Sequence, residues 1–251
     1  MLIILLLVLI FGLACYIIFS PNYFKKLGFE LKYGIKSLFS TPKKMDDFNA
    51  ESVKNSKRTG KEITIIIHGA AARYYTDVYG AAVWYKEKGL NPVSFDYNFK
   101  ALPDDSAQKL GRYIDEILQQ TNTKKVNIIG ICSGGMLAKY YAEKFDGAKK
   151  INKLITVVSP AKIIPENSFV YRFDKMFIFN PEPYNKVLEI TQNKNPVEKH
   201  LYIYSKNDFL ISEKYQTSES GNYVGLYLGH SPFTNVNPDM LNAALDFINK
   251  N

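Results

Sequence analysis

Cysteine is almost absent from this sequence. Two residues in 251, Cys15 and Cys132, exclude a disulfide framework and a four-cysteine zinc site. Histidine is nearly as scarce, so any imidazole chemistry has only His68, His200 and His230 to choose from. Low-complexity tracts are missing too, and with 46% hydrophobic and 22% charged residues the chain is not intrinsically disordered. An even spread of charge is also lacking. The net charge is +8, but residues 1–60 hold nine basic and four acidic residues, which leaves the remainder close to neutral. That remainder has no basic stripe of the kind nucleic-acid binding requires, so no nucleic-acid partner is expected. Its length suffices for one domain with a sizeable core.

One long apolar run is present. Leu2 to Phe19 are 18 consecutive uncharged positions, and as a helix they would extend roughly 27 Å, near the thickness of a hydrocarbon core. No basic residue precedes the run, as one would in a cleavable signal, whereas Lys25, Lys26, Lys32, Lys36, Lys43 and Lys44 follow it. Residues 1–21 are therefore expected to be a single-pass anchor, with the following domain on the cytoplasmic side. A lipoprotein signal ending at Cys15 is the rival, although Tyr16 to Phe19 continue the apolar run. Phe24, Leu27, Leu31, Ile35 and Leu38 recur at helical spacing with lysines between them. That pattern fits a helix on the membrane surface or one packed on the domain. Residues 22–60 read as a basic juxtamembrane segment, with a linker over 41–60.

From residue 61 the pattern alternates between strand and helix. Strands are expected at 63–67, 92–97, 126–129, 154–158, 201–204 and 223–228. Helices are expected at 78–88, after Asp104 and Asp105, at 136–144 and at 240–248. Such alternation predicts an α/β domain over 61–251, with a mostly parallel sheet covered by helices on both faces. Function in such sheets gathers at the carboxyl ends of the strands.

Gly130-Ile131-Cys132-Ser133-Gly134-Gly135 falls between a predicted strand and a predicted helix, the setting of a nucleophile elbow. Positions two before and two after the nucleophile must be small. Centring on Cys132 puts Gly130 and Gly134 there, while centring on Ser133 would put the branched Ile131 in the tight turn. The frame selects Cys132. Asp208 follows a late strand and His230 the last one, giving the order nucleophile, acid, histidine. Asp96, after the second strand, is the rival acid. An imidazole beside a thiol favours the nucleophilic thiolate. Cys132 would then attack an acyl carbon, His230 would shuttle the proton, and Asp208 would hold the imidazole's tautomer. Two backbone N–H groups must meet the oxyanion, and Ser133 and Ala70 are placed to supply them.

The region 62–250 resembles the α/β-hydrolase superfamily, and within it the small lidless bacterial triacylglycerol lipases. The similarity lies in Ile67-His68-Gly69, in Thr123-Lys124-Lys125-Val126-Asn127-Ile128-Ile129-Gly130 and in Lys139-Tyr140-Tyr141. It continues in Tyr204-Ser205-Lys206-Asn207-Asp208 and Gly229-His230. The resemblance implies ester hydrolysis and carries Cys132, Asp208 and His230 onto the triad, with Ala70 and Ser133 as oxyanion donors. Cysteine in place of serine is instead similar to dienelactone hydrolases and polyhydroxyalkanoate synthases, and Ile131 stands where the lipases have histidine. Those lipases are secreted, whereas this chain reads as anchored. Residues 160–198 are long for a connection and rich in aromatics (Phe169, Tyr171, Phe173, Phe177, Phe179, Tyr184), which suggests either a partial cap over an acyl pocket or a surface excursion.

The sequence thus predicts a membrane-anchored hydrolase of carboxylic esters or thioesters, with a lipid-like acyl substrate and an acyl-cysteine intermediate. Neither a metal nor an organic cofactor is expected. An acyltransferase using the same triad, or a non-catalytic hydrolase-like binding protein, are the alternatives. Oligomeric state is not encoded in any feature found.

Overall fold

The computed structural model describes residues 23–70, 72–165, 182–192, 194–217, 221–230 and 232–250. The anchor expected over 1–21 lies outside them, and among the described residues no helix is long and apolar enough to cross a membrane.

Among the described residues six strands form the sheet: β1 (Ile63–Ile67), β2 (Asn91–Phe95), β3 (Val126–Ile131), β4 (Ile151–Val157), β5 (His200–Ser205) and β6 (Asn222–Leu226). All pair in parallel, in the order β2-β1-β3-β4-β5-β6. The central strands are apolar and β-branched because both their faces are covered. On β1 the two-residue alternation is visible directly. Ile63, Ile65 and Ile67 enter one core with helices α4 (Pro103–Thr121), α5 (Ser133–Lys144) and α6 (Glu182–Thr191). Ile66 enters the other, with α3 (Tyr79–Glu87) and α8 (Pro238–Asn249). A short helix, α7 (Glu213–Gln216), lies between β5 and β6. The expected strands and helices from residue 61 onward are present with ends moved by a few residues.

The stretch before residue 61 differs from expectation. Residues 41–60, read as a linker, form helix α2 (Pro42–Thr59). Thr41 caps it by accepting from the Lys44 N–H at 3.2 Å, proline starts it, and Gly60 ends it at φ 70°. Its buried face is Met45, Phe48, Ser52 and Ser56. Two hydroxyls on that face hide the apolar periodicity, so the segment looks like solvated chain although its end signals are complete.

Helix α1 (Tyr23–Leu38) packs on the domain. Tyr33 donates to Glu87 at 2.6 Å, Ser37 Oγ accepts from the Gly80 N–H at 2.8 Å, and Glu30 accepts from Asn237 at 3.0 Å. A methyl group on Gly80 would lie 2.2 Å from the Tyr33 carbonyl, so glycine there permits the close helix crossing. The packed face is therefore polar and aromatic; of the apolar stripe, which fitted either a membrane surface or the domain, Leu31, Ile35 and Leu38 are exposed.

A chain beginning at residue 41 would leave Trp84 and Glu87 without Phe29 and Tyr33. Its stability is expected to be about 3–5 kcal/mol below that of a chain beginning at residue 22, from the loss of roughly two large side chains' burial. Urea midpoints of the two chains would show it.

Candidate active site

Cys132 is the one residue between the end of β3 and the start of α5. It adopts φ 50°, ψ −120°, a conformation that costs a non-glycine residue about 1–3 kcal/mol and persists only where its surroundings enforce it. They do so here. The Cys132 N–H donates to Val157 O at 2.8 Å, and Cys132 O accepts from Gly135 N–H at 3.0 Å. The side chain is left half-buried at the carboxyl edge of the central strand, and the thiol is free.

The flanking glycines account for the frame. A methyl on Gly130 would lie 2.5 Å from Gly135 Cα, and one on Gly134 would lie 2.5 Å from both the Ile67 and His68 carbonyl oxygens. Gly134→Ala is therefore expected to lower the melting temperature by about 5–10 °C, from roughly 2–3 kcal/mol of overpacking against backbone that cannot yield. Gly28→Ala, on an open face of α1, is the control and is expected to leave it unchanged or raise it slightly. Thermal melts of the two variants make the comparison.

The turn after β1 crosses directly over the cysteine. Gly69 is so close that a methyl there would sit 3.2 Å from Cys132 Cβ, and Ala70 follows. Ser133 is the first residue of α5, where a backbone N–H has no partner within the helix. Its hydroxyl is engaged elsewhere, 2.8 Å from the Tyr97 hydroxyl, and its side chain is buried. Ser133 is thus a poor nucleophile by position as well as by frame.

Asp208 and His230 meet across the loops after β5 and β6. Asp208 Oδ2 lies 2.9 Å from His230 Nδ1 and also accepts from Gln216 at 2.9 Å. Its Oδ1 accepts from the Leu210 and Ile211 N–H groups at 2.8 and 2.9 Å. The carboxylate side chain is fully buried, so these four bonds fix its plane. Asn207 ties the two loops together by accepting from the Gly229 N–H at 2.9 Å. Burial opposes charge on the His230 ring, but hydrogen bonds to Asp208 and Cys132, and their negative charge, outweigh it and raise its pKa to about 10. Because the folded value exceeds the ordinary 6.5, this pairing's stabilisation is fully present below about pH 6.5 and is lost as pH rises through about 10. Imidazole NMR is expected to show His230 still protonated at pH 8, where His200 is neutral.

The other histidines are committed to structure. His200 is buried, bonded to Thr156 and Asn195 and stacked on Tyr202, and that burial, with the nearby Lys139 charge, holds its pKa well below 6.5. His68 stacks on Tyr97 and bonds the Gly69 carbonyl at 2.8 Å, with Asp96 3.6 Å from its other nitrogen. Asp96 therefore pairs with His68, and the carboxylate on His230 is Asp208.

Two aromatic residues near the thiol were not singled out as site residues by motif. Burial raises the Tyr184 hydroxyl pKa, with the charge of Cys132 adding to it, and Tyr97 is raised by burial, by Tyr184 and by the same sulfur. Tyr184 stands on α6 and donates to the Phe99 carbonyl at 2.6 Å. Part of the stretch 160–198 thus lies near enough to the cysteine to feel its charge, while Phe169, Tyr171, Phe173, Phe177 and Phe179 lie outside the described residues. No sequence motif marks Tyr97 or Tyr184 for this position. Among the described residues, no group of three or more His, Cys, Asp or Glu side chains is placed to hold a metal ion.

A parallel sheet covered on both faces, a strained residue on its central strand–helix turn and a loop-borne acid–histidine pair together describe an α/β-hydrolase architecture. Comparison with known proteins agrees. A family model described as alpha/beta hydrolase fold matches residues 65–189, and the chain has that fold. No curated protein sequence matches it. Among solved structures, it is similar to Bacillus licheniformis lipase BlEst2, with 12% identity, a TM-score of 0.57, and 76% of this chain and 92% of that one covered. It is likewise similar to a structure from a study of two metagenome-derived lipolytic enzymes, LipS and LipT (12%, TM-score 0.56, 76% and 95% covered). A bacterial membrane phospholipase A is a third (12%, TM-score 0.52, 76% and 79% covered). Identities this low speak for the fold, and function must be argued from the site.

Proposed function

We propose that this protein is a lipase- or esterase-like hydrolase that cleaves carboxylic esters or thioesters through an acyl-cysteine intermediate, held at a membrane by residues 1–21 with its domain on the cytoplasmic side. The observation that carries the reading is the half-buried Cys132, strained at the elbow, beside a His230 whose other nitrogen faces a fully buried Asp208. The lipolytic enzymes among the structural neighbours support an ester or lipid substrate.

In this mechanism the Cys132 thiolate attacks the acyl carbon and a C–S bond forms. The carbonyl electrons move to oxygen, where the Ala70 and Ser133 N–H groups receive the charge. His230 gives its proton to the leaving alkoxide as the C–O bond breaks, leaving a thioester on Cys132. Water, deprotonated by His230, then attacks the thioester. The C–S bond breaks, and the carboxylic acid leaves as the thiolate–imidazolium pair is restored.

The test is intact mass of the full chain in detergent, mixed with a medium-chain p-nitrophenyl ester, beside Cys132→Ala. The expected result is an acyl adduct on the parent alone, with p-nitrophenol released. Decay of that adduct in water makes the protein a hydrolase. Persistence until an alcohol or thiol is added makes it a transferase instead. An absence of adduct across several chain lengths would leave a binding role for the fold.

A further inference from the structure

We infer that helix α1 is an interfacial helix: its exposed apolar stripe, Leu31, Ile35, Leu38 and the following Phe39, lies against an anionic lipid bilayer. The inference rests on the reading of residues 1–21 as an anchor and adds to it a second, separate contact.

Among the described residues, one face of the helix is packed on the domain and the opposite one is exposed. Glu30, Tyr33 and Ser37 are buried on the domain, while Leu31 is 46%, Ile35 50%, Leu38 74% and Phe39 76% exposed. At about 100° per residue, positions 31, 35 and 38 point away from 30, 33 and 37. Four large apolar side chains within nine residues make one continuous patch, unlike the singly scattered apolar residues of an ordinary surface. Two features say what covers it. The first is reach: Phe19, the last residue of the apolar run, is four residues before Tyr23, a distance of at most about 14 Å even if fully extended. With residues 2–19 spanning, the first turn of α1 cannot leave the headgroup region, and its 16 residues would lie over roughly 24 Å of it. The second is charge. Lys32 stands beside the stripe, and the exposed Lys43 and Lys44 follow Phe39, which suits anionic headgroups. Lys26 and Lys36 are exceptions, paired with Asp239 and, at 3.2 Å, with Glu87.

The experiment uses the full chain in vesicles of phosphatidylcholine with phosphatidylglycerol, and the variants Phe39→Trp and, separately, Ile35→Trp. The parent's one tryptophan, Trp84, is buried in the domain and provides the background. Added tryptophan emission is expected to shift to the blue and to be lost when the lipid chains carry bromine, and the effect should weaken in pure phosphatidylcholine. If the chain floats with the vesicles but both reporters stay solvent-like and unquenched, the anchor stands and the α1 contact is overturned. A blue shift that bromine leaves untouched and dilution removes would mean that a second copy covers the stripe, which also overturns it. If the chain does not float at all, the anchoring reading falls, and the α1 contact with it.

Discussion

Cys132→Ala is expected to lower turnover of an activated ester by on the order of 10³-fold or more, with the fold intact. Removing a nucleophile leaves only the contribution of the oxyanion donors and of substrate binding. Here the sulfur is also one of the two groups that keep His230 protonated, so alanine removes the attacking atom and the imidazole's partner together. The His230 titration should accordingly move down from its position near 10 in this variant. Ser133→Ala is the informative companion. It keeps the backbone N–H and loses only a hydroxyl already engaged with Tyr97, so it should lose far less activity than Cys132→Ala. Steady-state kinetics on the pair, with thermal melts to establish folding, checks both. Equal losses would mean that the nucleophile frame has been misassigned.

Asp208→Asn has the next largest effect. The carboxylate accepts four bonds, two on each oxygen, from the Leu210 and Ile211 N–H groups and from Gln216 and His230. An amide can keep the backbone pair only by turning its NH₂ toward Gln216 and His230. His230 must then accept at Nδ1, which places its proton on Nε2 and leaves it unable to act as a base toward the thiol. The equivalent tautomer error in a serine–histidine–aspartate site costs about 10⁴-fold, and a loss of roughly 10³–10⁴-fold is expected here. Loss of the carboxylate charge should also bring the His230 pKa down toward its ordinary range. A fall in turnover with the His230 titration unmoved would mean that Asp208 acts through the loop and not through the ring. A variant retaining near-parent turnover would remove Asp208 from the mechanism.

The parts of the molecule most legible in the sequence were those with a steric rule behind them. Gly130 and Gly134 could be assigned because the elbow admits no side chain at either position. A methyl at either would come within 2.5 Å of neighbouring backbone, which is that rule expressed as a distance. The strands were legible because isoleucine and valine runs bounded by glycine have few other uses. Asp208 over Asp96 rested on position after a late strand, and the geometry pairs Asp208 with His230. Less legible was whatever depends on tertiary partners. Helix α2 buries Ser52 and Ser56 against the body of the domain, and hydropathy cannot report a buried hydroxyl. On α1 the sequence marks the apolar stripe without deciding whether bilayer or domain meets it, and the domain is gripped by Glu30, Tyr33 and Ser37 instead. Tyr97 and Tyr184 feel the charge of the cysteine from positions 87 residues apart in sequence, a proximity no local motif can carry.

The Asn49 side chain on α2 bears on how this sheet meets other molecules. Its carbonyl oxygen accepts from the Ser94 N–H at 3.0 Å and its amide donates to the Ser94 carbonyl at 3.3 Å. Asn55 bonds Asn91 at 2.6 Å farther along the same strand. One carboxamide thus imitates the paired backbone of a seventh strand on β2, occupying the polar groups that an incoming chain would need. On that side an added strand would have to displace Asn49 from Ser94. The other edge among the described residues is β6, a five-residue strand with Gly225 in its second half, which makes a poor template. Asn49→Ala would reopen the protected margin, and any edge-to-edge aggregation it provoked would begin there.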